Sequence, residues 1–284
     1  MESDKYLVLK PPDYLAFLRK YPGHNPIKDV CNTQNKIILW VKCSILHYEE
    51  TEKRSGVLKF FINAALVSEN IAPCRSLVYF CHIQECRKLR NFSSAAAIST
   101  ALHSREISRL RLTISDLSRT MQEKLSSLDK IFDPLSDHHA YRLAIKEGNT
   151  QEHAHAIPWL GENVRCSDGT KLISQFAAVH LKELQLVLRN NPITVEVDQE
   201  RLINFQRYVK FMDQTKELFR YKTPDLELYR HDGRLEYLEG QLRSLEASKK
   251  TEDQVVARSL FLERRENVVH TAKKAQLRAL GFKK

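Results

Sequence analysis

The chain has 284 residues, 42% hydrophobic and 28% charged, with 45 Lys+Arg against 35 Asp+Glu and a formal net charge of +10. No apolar run reaches the roughly 18–20 residues that a membrane-spanning helix needs, and the opening Met-Glu-Ser-Asp-Lys-Tyr lacks the charged-then-apolar order of a secretory signal. These features exclude a spanning protein and lead us to expect a cytosolic one with room for one large core, in which only 8 Gly and 9 Pro favour long helices over strands and turns.

Helical periodicity runs through the chain. Ile37, Ile38, Val41 and Ile45 repeat around Trp40, and Leu58, Phe61, Ile62 and Ala65 follow the same rule. Cys86–Thr113 reads as two short helical patterns broken by Asn91-Phe92-Ser93-Ser94, with Ser93 or Ser94 suited to cap the second. Ile98, Leu102, Ile107 and Leu110 carry that second pattern onward. Met121–Phe132 is amphipathic and stopped by Asp133-Pro134.

His180–Leu188 and Phe205–Tyr221 read as two long helices. The link Arg189–Ile203 is broken by Asn190-Asn191-Pro192 and holds a β-like Thr194-Val195-Glu196-Val197, so a helical hairpin is expected. Beyond Pro224, Leu228, Leu235, Leu238, Leu242 and Leu245 fall at heptad-like spacing. That is too short a run for a coiled coil, so an exposed or packed-back helix towards Glu266 is expected. Val268–Lys284 carries Lys273, Lys274, Arg278, Lys283 and Lys284 and no acid. It reads as a solvated tail, or as a weak contact with an anionic inner leaflet at about 1 kcal/mol per basic residue near the surface.

Signs of a reacting centre are missing. The chain shows no Gly-rich phosphate loop, H-E-x-x-H, G-x-S-x-G or kinase signature. Its six cysteines form no C-x-x-C pair, so neither a disulfide framework nor a zinc knuckle is indicated. Cys81, His82 and Cys86, or His153 with His155, lack the two tight ligand pairs of a zinc site and read as reduced thiols and solvated histidines. No metal or cofactor is expected. The basic charge alone suggests a nucleic-acid binder, but aromatic-plus-basic clusters are missing and no nucleic-acid partner is expected.

Three blocks in order carry a resemblance. The first is Asn25-Pro26-Ile27 with Thr33-Gln34-Asn35-Lys36 and Leu39-Trp40-Val41, and the second is Cys86–Thr113. The third joins Tyr141-Arg142, Ile157-Pro158-Trp159-Leu160, Val179–Leu188, Asn191-Pro192 and Leu202–Phe205. Over about Pro26 to Tyr221 the chain resembles the catalytic domain of Ras-type guanine-nucleotide exchange factors. The resemblance implies an all-α bowl of helices with a protruding hairpin that wedges between the two switch segments of a small GTPase. The implied partner is a Ras-family GTPase, and the implied action involves no covalent chemistry.

Carried over by position, the hairpin contact comprises His180, Leu181, Lys182, Leu184, Gln185, Leu188 and Arg189. Leu181, Leu184 and Leu188 are expected on one face, and Lys182, Gln185 and Arg189 on the other. Thr33, Gln34 and Asn35 would line the rim of the bowl, with Asn91 and Phe92 supporting the hairpin base or touching the partner. The chain departs from the family pattern at Arg189, where many members carry an acid, and at Ile114, where a Trp often follows the Thr. These departures keep open a non-catalytic, GTPase-binding or scaffolding relative. The resemblance also implies opening helices and a stabilising module ahead of Met1, so residues 1–224 are expected to form a domain incomplete at its N-terminus. Residues 225–284 are expected to form a helical, basic extension.

Two stretches read as insertions into that pattern, Val67–Gln84 and Gly161–Ala177. Val67-Ser68 can be encoded by a splice-donor sequence and Gln84 by an acceptor, and Gly161 and Ala178 offer the same pair in frame. Removing them joins Leu58, Phe61, Ala64 or Ala65, Cys86 and Leu89 into one apolar stripe, and Leu160, Leu181, Leu184 and Leu188 into another. Translated introns are the favoured reading, and surface loops the other.

Overall fold

The computed structural model describes residues 5, 8–65, 90–133, 135–146, 156–160, 179–221, 232–247 and 252–264. The two insertion stretches, the Cys81/His82/Cys86 and His153/His155 groups, and the basic C-terminus lie outside the described residues. Within them the fold is helical: α1 (Pro11–Leu18), α2 (Pro26–Leu46), α3 (Thr51–Ala65), α4 (Phe92–Leu102), α5 (Arg105–Ser108), α6 (Arg111–Ser115), α7 (Arg119–Ile131) and α8 (His139–Lys146). Then come α9 (Val179–Asn190), a two-stranded antiparallel sheet of β1 (Thr194–Val197) and β2 (Glu200–Ile203), α10 (Phe205–Phe219), α11 (Asp232–Ala247) and α12 (Glu252–Leu262).

Helix α2 is the spine. Asn25 caps it by accepting from the Ile27 amide at 2.9 Å, and Pro26 at its first turn has no amide to leave unsatisfied. Its N-terminal apolar residues Ile27, Val30 and Cys31 pack with Tyr14 of α1, Leu181 and Leu184 of α9, and Phe211 and Leu218 of α10. Its C-terminal residues Ile37, Ile38, Val41 and Ile45 pack with Leu58, Phe61 and Ile62 of α3 and with Ala97, Ile98 and Ala101 of α4. Each Val, Leu, Ile or Phe side chain among them contributes about 1.5–3 kcal/mol on full burial. One helix therefore fixes the hairpin to the main core.

The chain breaks where side chains compete with the backbone for hydrogen bonds. Helix α4 is capped by Asn91, whose Oδ1 accepts from the Ser94 amide at 3.0 Å, so Ser93 and Ser94 lie inside the helix and are not its caps. The apolar pattern Ile98, Leu102, Ile107, Leu110 is buried but spans separate helices. His103 ends α4, and Ser104 turns its hydroxyl back to the Ala101 carbonyl at 2.7 Å. The expected single helix after Pro224 is two, α11 and α12, and both pack back on α2. Val255 of α12 joins the main core.

Candidate functional site

The hairpin stands on an aromatic floor. Asn91 pairs with Ile157 as a parallel bridge, the Ile157 amide donates to the Arg90 carbonyl at 3.0 Å, and the Ala156 amide donates to the Tyr221 carbonyl at 3.2 Å. This ties 156–160 to the start of α4 and to the end of α10. Phe92, Tyr141 and Trp159 then pack edge-on, with centroids 5.5 Å apart for Phe92–Tyr141 and 6.1 Å for Tyr141–Trp159. Such pairs add about 0.5–1.5 kcal/mol beyond area burial.

Tyr141 joins floor and hairpin. Its hydroxyl accepts from the Trp159 amide at 3.1 Å and lies within hydrogen-bond distance of His180 Nε2, at 2.8 Å. Burial pushes the phenol well above its usual pKa, so it stays protonated. Nδ1 of the same histidine ring lies 3.7 Å from Glu183 Oε2.

Glu183 is the hub. Its carboxylate takes an ion pair from Arg142 of α8 and a 3.1 Å hydrogen bond from Gln214 of α10. Burial opposes its charge, but the neighbouring His180 and Arg142 side chains prevail and hold the carboxyl down at about 2. Arg142 is itself held by Asp137, through the Asp137 carbonyl at 3.0 Å and Oδ2 at 3.2 Å. A cleft of about 200 Å³ opens beside this network, lined in part by Arg142, His180, Glu183, Gln214 and Tyr221.

The other end of α9 is closed by Arg207 of α10, which donates to the carbonyls of Leu188 and Asn191. Those carbonyls would otherwise be orphaned at a helix C-terminus. Asn191 Nδ2 reaches the Val187 carbonyl at 2.8 Å, and Lys210 reaches Asn191 Oδ1 at 3.0 Å. Beyond it, Asp198 and Gln199 both take positive φ, 52° and 66°, which is the two-residue turn that joins twisted strands. The sequence reading anticipated only the first strand, because this turn lacks the glycine that usually signals it.

The predicted site residues divide sharply. Lys182, Gln185 and Arg189 are exposed on α9, and Asn35 is exposed on α2. Leu181 and Leu184 are buried in the hairpin cluster, and Leu188 packs at its edge. His180 and Asn91 are half-buried in the base. Thr33 and Gln34 do not line a rim, being 2% and 3% exposed. Thr33 Oγ1 bonds to the Asp29 carbonyl at 2.7 Å, and Gln34 Nε2 donates to the Ser93 carbonyl at 3.0 Å. Phe92 is also inside, as a floor residue. Gln34 thus reaches the start of α4, while Lys5 Nζ donates to Thr33 Oγ1 at 2.6 Å, and polar side chains buried there must find partners within the fold.

The family model for the RasGEF domain matches residues 1–209, taking in the spine, the floor, the whole of α9 and the start of α10. The chain belongs to the RasGEF family. Guanine nucleotide exchange factor SDC25 of Saccharomyces cerevisiae (strain YJM789) is 24% identical over 214 residues, covering 72% of this chain and 14% of that protein. Ras guanine nucleotide exchange factor P of Dictyostelium discoideum is 30% identical over 139 residues, 48% of this chain and 8% of the relative. Rap guanine nucleotide exchange factor 6 of Homo sapiens is 27% identical over 153 residues, 53% of this chain and 8% of the relative. The chain thus spans a small part of these curated relatives.

In this RasGEF chain the residues that brace the hairpin were the less legible ones. Glu183, Gln214 and Arg207 look like ordinary surface residues of amphipathic helices, and only their partners across the hairpin reveal their work. On the helical wheel Glu183 lies as far from the Leu181, Leu184 and Leu188 stripe as the exposed Lys182 does, so no signal in the sequence separates them. Among the described residues no helix is long and apolar enough to cross a membrane.

Proposed function

We propose that this chain is a guanine-nucleotide exchange factor for a Ras-family small GTPase, acting through the α9–α10 hairpin. One observation carries the reading: α9 is braced on one side by Leu181, Leu184 and Glu183 while Lys182, Gln185 and Arg189 face solvent. A helix held this firmly can press between two mobile segments of a partner without itself yielding. The hairpin wedges between the switch segments and weakens the nucleotide site, and no covalent bond is made or broken.

The energetics are those of linkage. A factor that binds the nucleotide-free GTPase more tightly than the loaded one must lower nucleotide affinity by the same ratio. Picomolar nucleotide binding corresponds to about −16 kcal/mol. Release is slow unless another protein compensates for the lost contacts. The factor sets no direction, which follows the supply of GTP over GDP.

The experiment is release of mant-GDP from purified Ras-family GTPases with and without the chain. Faster release from at least one GTPase is expected. A second reading, a non-catalytic GTPase-binding or scaffolding module, draws on Arg189 standing where many relatives carry an acid. Tight binding to a nucleotide-free GTPase with no acceleration of release would select it. The domain is proposed to be residues 1–224 followed by a helical extension, in a cytoplasmic protein whose basic C-terminus adds weak contact at a membrane's inner face.

A further inference from the structure

Three charged side chains lie on α9: Lys182, Glu183 and Arg189. Glu183 is turned into the base and its carboxylate is taken by Arg142 and Gln214. What α9 shows to solvent is therefore cationic, with Gln185 and Leu186 between the two charges.

The tip of the same hairpin carries the opposite sign. Asp198 and Glu200 are exposed at the β turn, while Glu196 is offset by Arg201 directly across the register. Arg201 is in turn tied to Thr194 Oγ1 at 3.0 Å. Charge is thus segregated along one braced element, a cationic helix flank and an anionic turn.

We infer that the hairpin docks on a folded protein surface of complementary pattern, acidic opposite Lys182 and Arg189 and basic opposite Asp198 and Glu200. This rests on the exchange-factor reading for the class of partner, a small GTPase. A uniform polyanion fits poorly. An anionic leaflet or a nucleic acid rewards the net number of cations brought to it, and the turn acids cancel the two on α9. A patterned protein surface gains from both ends at once, and such complementarity sets orientation and association rate more than final affinity. The uncharged centre at Gln185 and Leu186 suits the less charged core of a protein interface.

The test measures association of the full chain with the nucleotide-free GTPase it binds best, by stopped flow at about 25 and 300 mM NaCl. Lys182→Glu with Arg189→Glu forms one variant, and Asp198→Asn with Glu200→Lys the other, the asparagine tolerating the positive φ. Circular dichroism checks that both fold. Each variant should associate at least about tenfold more slowly at low salt, with the difference shrinking at high salt as charges are screened. Unchanged association rates with binding intact overturn the inference and leave the exchange-factor reading standing. Binding to none of a panel of GTPases overturns the reading and the partner class together. Binding to phosphatidylserine vesicles that is lost in the first variant and strengthened in the second overturns it in favour of a membrane.

Discussion

Arg54 and Glu263, 209 positions apart, meet at 3.2 Å with side chains 1% and 0% exposed. Glu263 also accepts from Thr113 Oγ1 at 2.6 Å and from the amides of Thr113 at 3.0 Å and Leu112 at 2.9 Å, in the first turn of α6. Arg54 spends its remaining donors on the Thr113 hydroxyl, the Thr51 hydroxyl and the Tyr48 and Glu49 carbonyls. A buried pair is stable only when its other hydrogen-bonding capacity is met, and here it is. Arg109 adds bonds to the Ser259 carbonyl at 2.6 Å and the Glu263 carbonyl at 2.9 Å. The end of α12 is thereby clasped to α3 and α6, outside the span matched by the family model.

Glu263→Ala should therefore cost about 3–5 kcal/mol, because it strands the Arg54 guanidinium away from water. Thermal unfolding followed by circular dichroism reads this directly. Ending the chain after Ala247 should lower the midpoint at least as much. A midpoint that either change leaves alone would show that the clasp contributes nothing.

The hairpin base predicts a pH response. Glu183 is ionised down to about 2 in the folded protein, against an ordinary value of 4.5. A depressed folded value means that its stabilisation is complete above about pH 4.5 and is lost as pH falls from there through about 2. Glu183→Gln should destabilise the protein at pH 7 and flatten the dependence of melting temperature on pH in that acid window. Parallel acid curves for wild type and variant would contradict the assigned hub.

Much of the framework was legible because helical periodicity survives burial: Ile37, Ile38, Val41 and Ile45 read as a core face and are one. The paired helices His180–Leu188 and Phe205–Tyr221 also stood close to their observed limits. What escaped was every feature set by a distant partner. Arg54 sits amid a charged stretch, Thr51-Glu52-Lys53-Arg54, and nothing local says that it alone is buried. The cap at Asn91 rather than Ser93 or Ser94 turned on a shift of two or three positions, which only the Ser94 amide contact decides. Thr33 and Gln34 looked like rim residues because polar side chains are usually outside, and the contacts of Thr33 with Lys5 and of Gln34 with the Ser93 carbonyl of α4 reverse that here.

Two substitutions on the hairpin separate docking from folding. Gln185→Ala with Arg189→Ala removes exposed side chains, so stability should move by less than about 0.5 kcal/mol, while binding to the nucleotide-free GTPase should be abolished. Phe92→Ala removes a floor ring packed on Tyr141 and should cost about 3–5 kcal/mol. A pull-down and a melting curve on each variant give both readouts. Full binding by the double variant would move the docking surface away from α9.

The last prediction concerns Val67–Gln84 and Gly161–Ala177, which we propose are translated introns. The described helix α3 ends at Ala65 with Leu58, Phe61 and Ala65 already in the main core, so continuing it through Cys86 and Leu89 would extend an existing apolar face. On the other side, Leu160, Leu181 and Leu184 share one cluster, with Leu188 packed against it. Excision would place those four on one helical stripe at the foot of the hairpin, and so convert contacts between separate segments into contacts along one helix. Long insertions carry a modest closure cost, but Gly161–Ala177 falls immediately before the hairpin helix that the proposed function depends on. A chain lacking both stretches should melt higher and release nucleotide faster than the chain as written. Transcript sequencing decides the origin: mature message that keeps both stretches, from a gene without splice boundaries there, would make them loops, and equal melting temperatures would make them harmless ones.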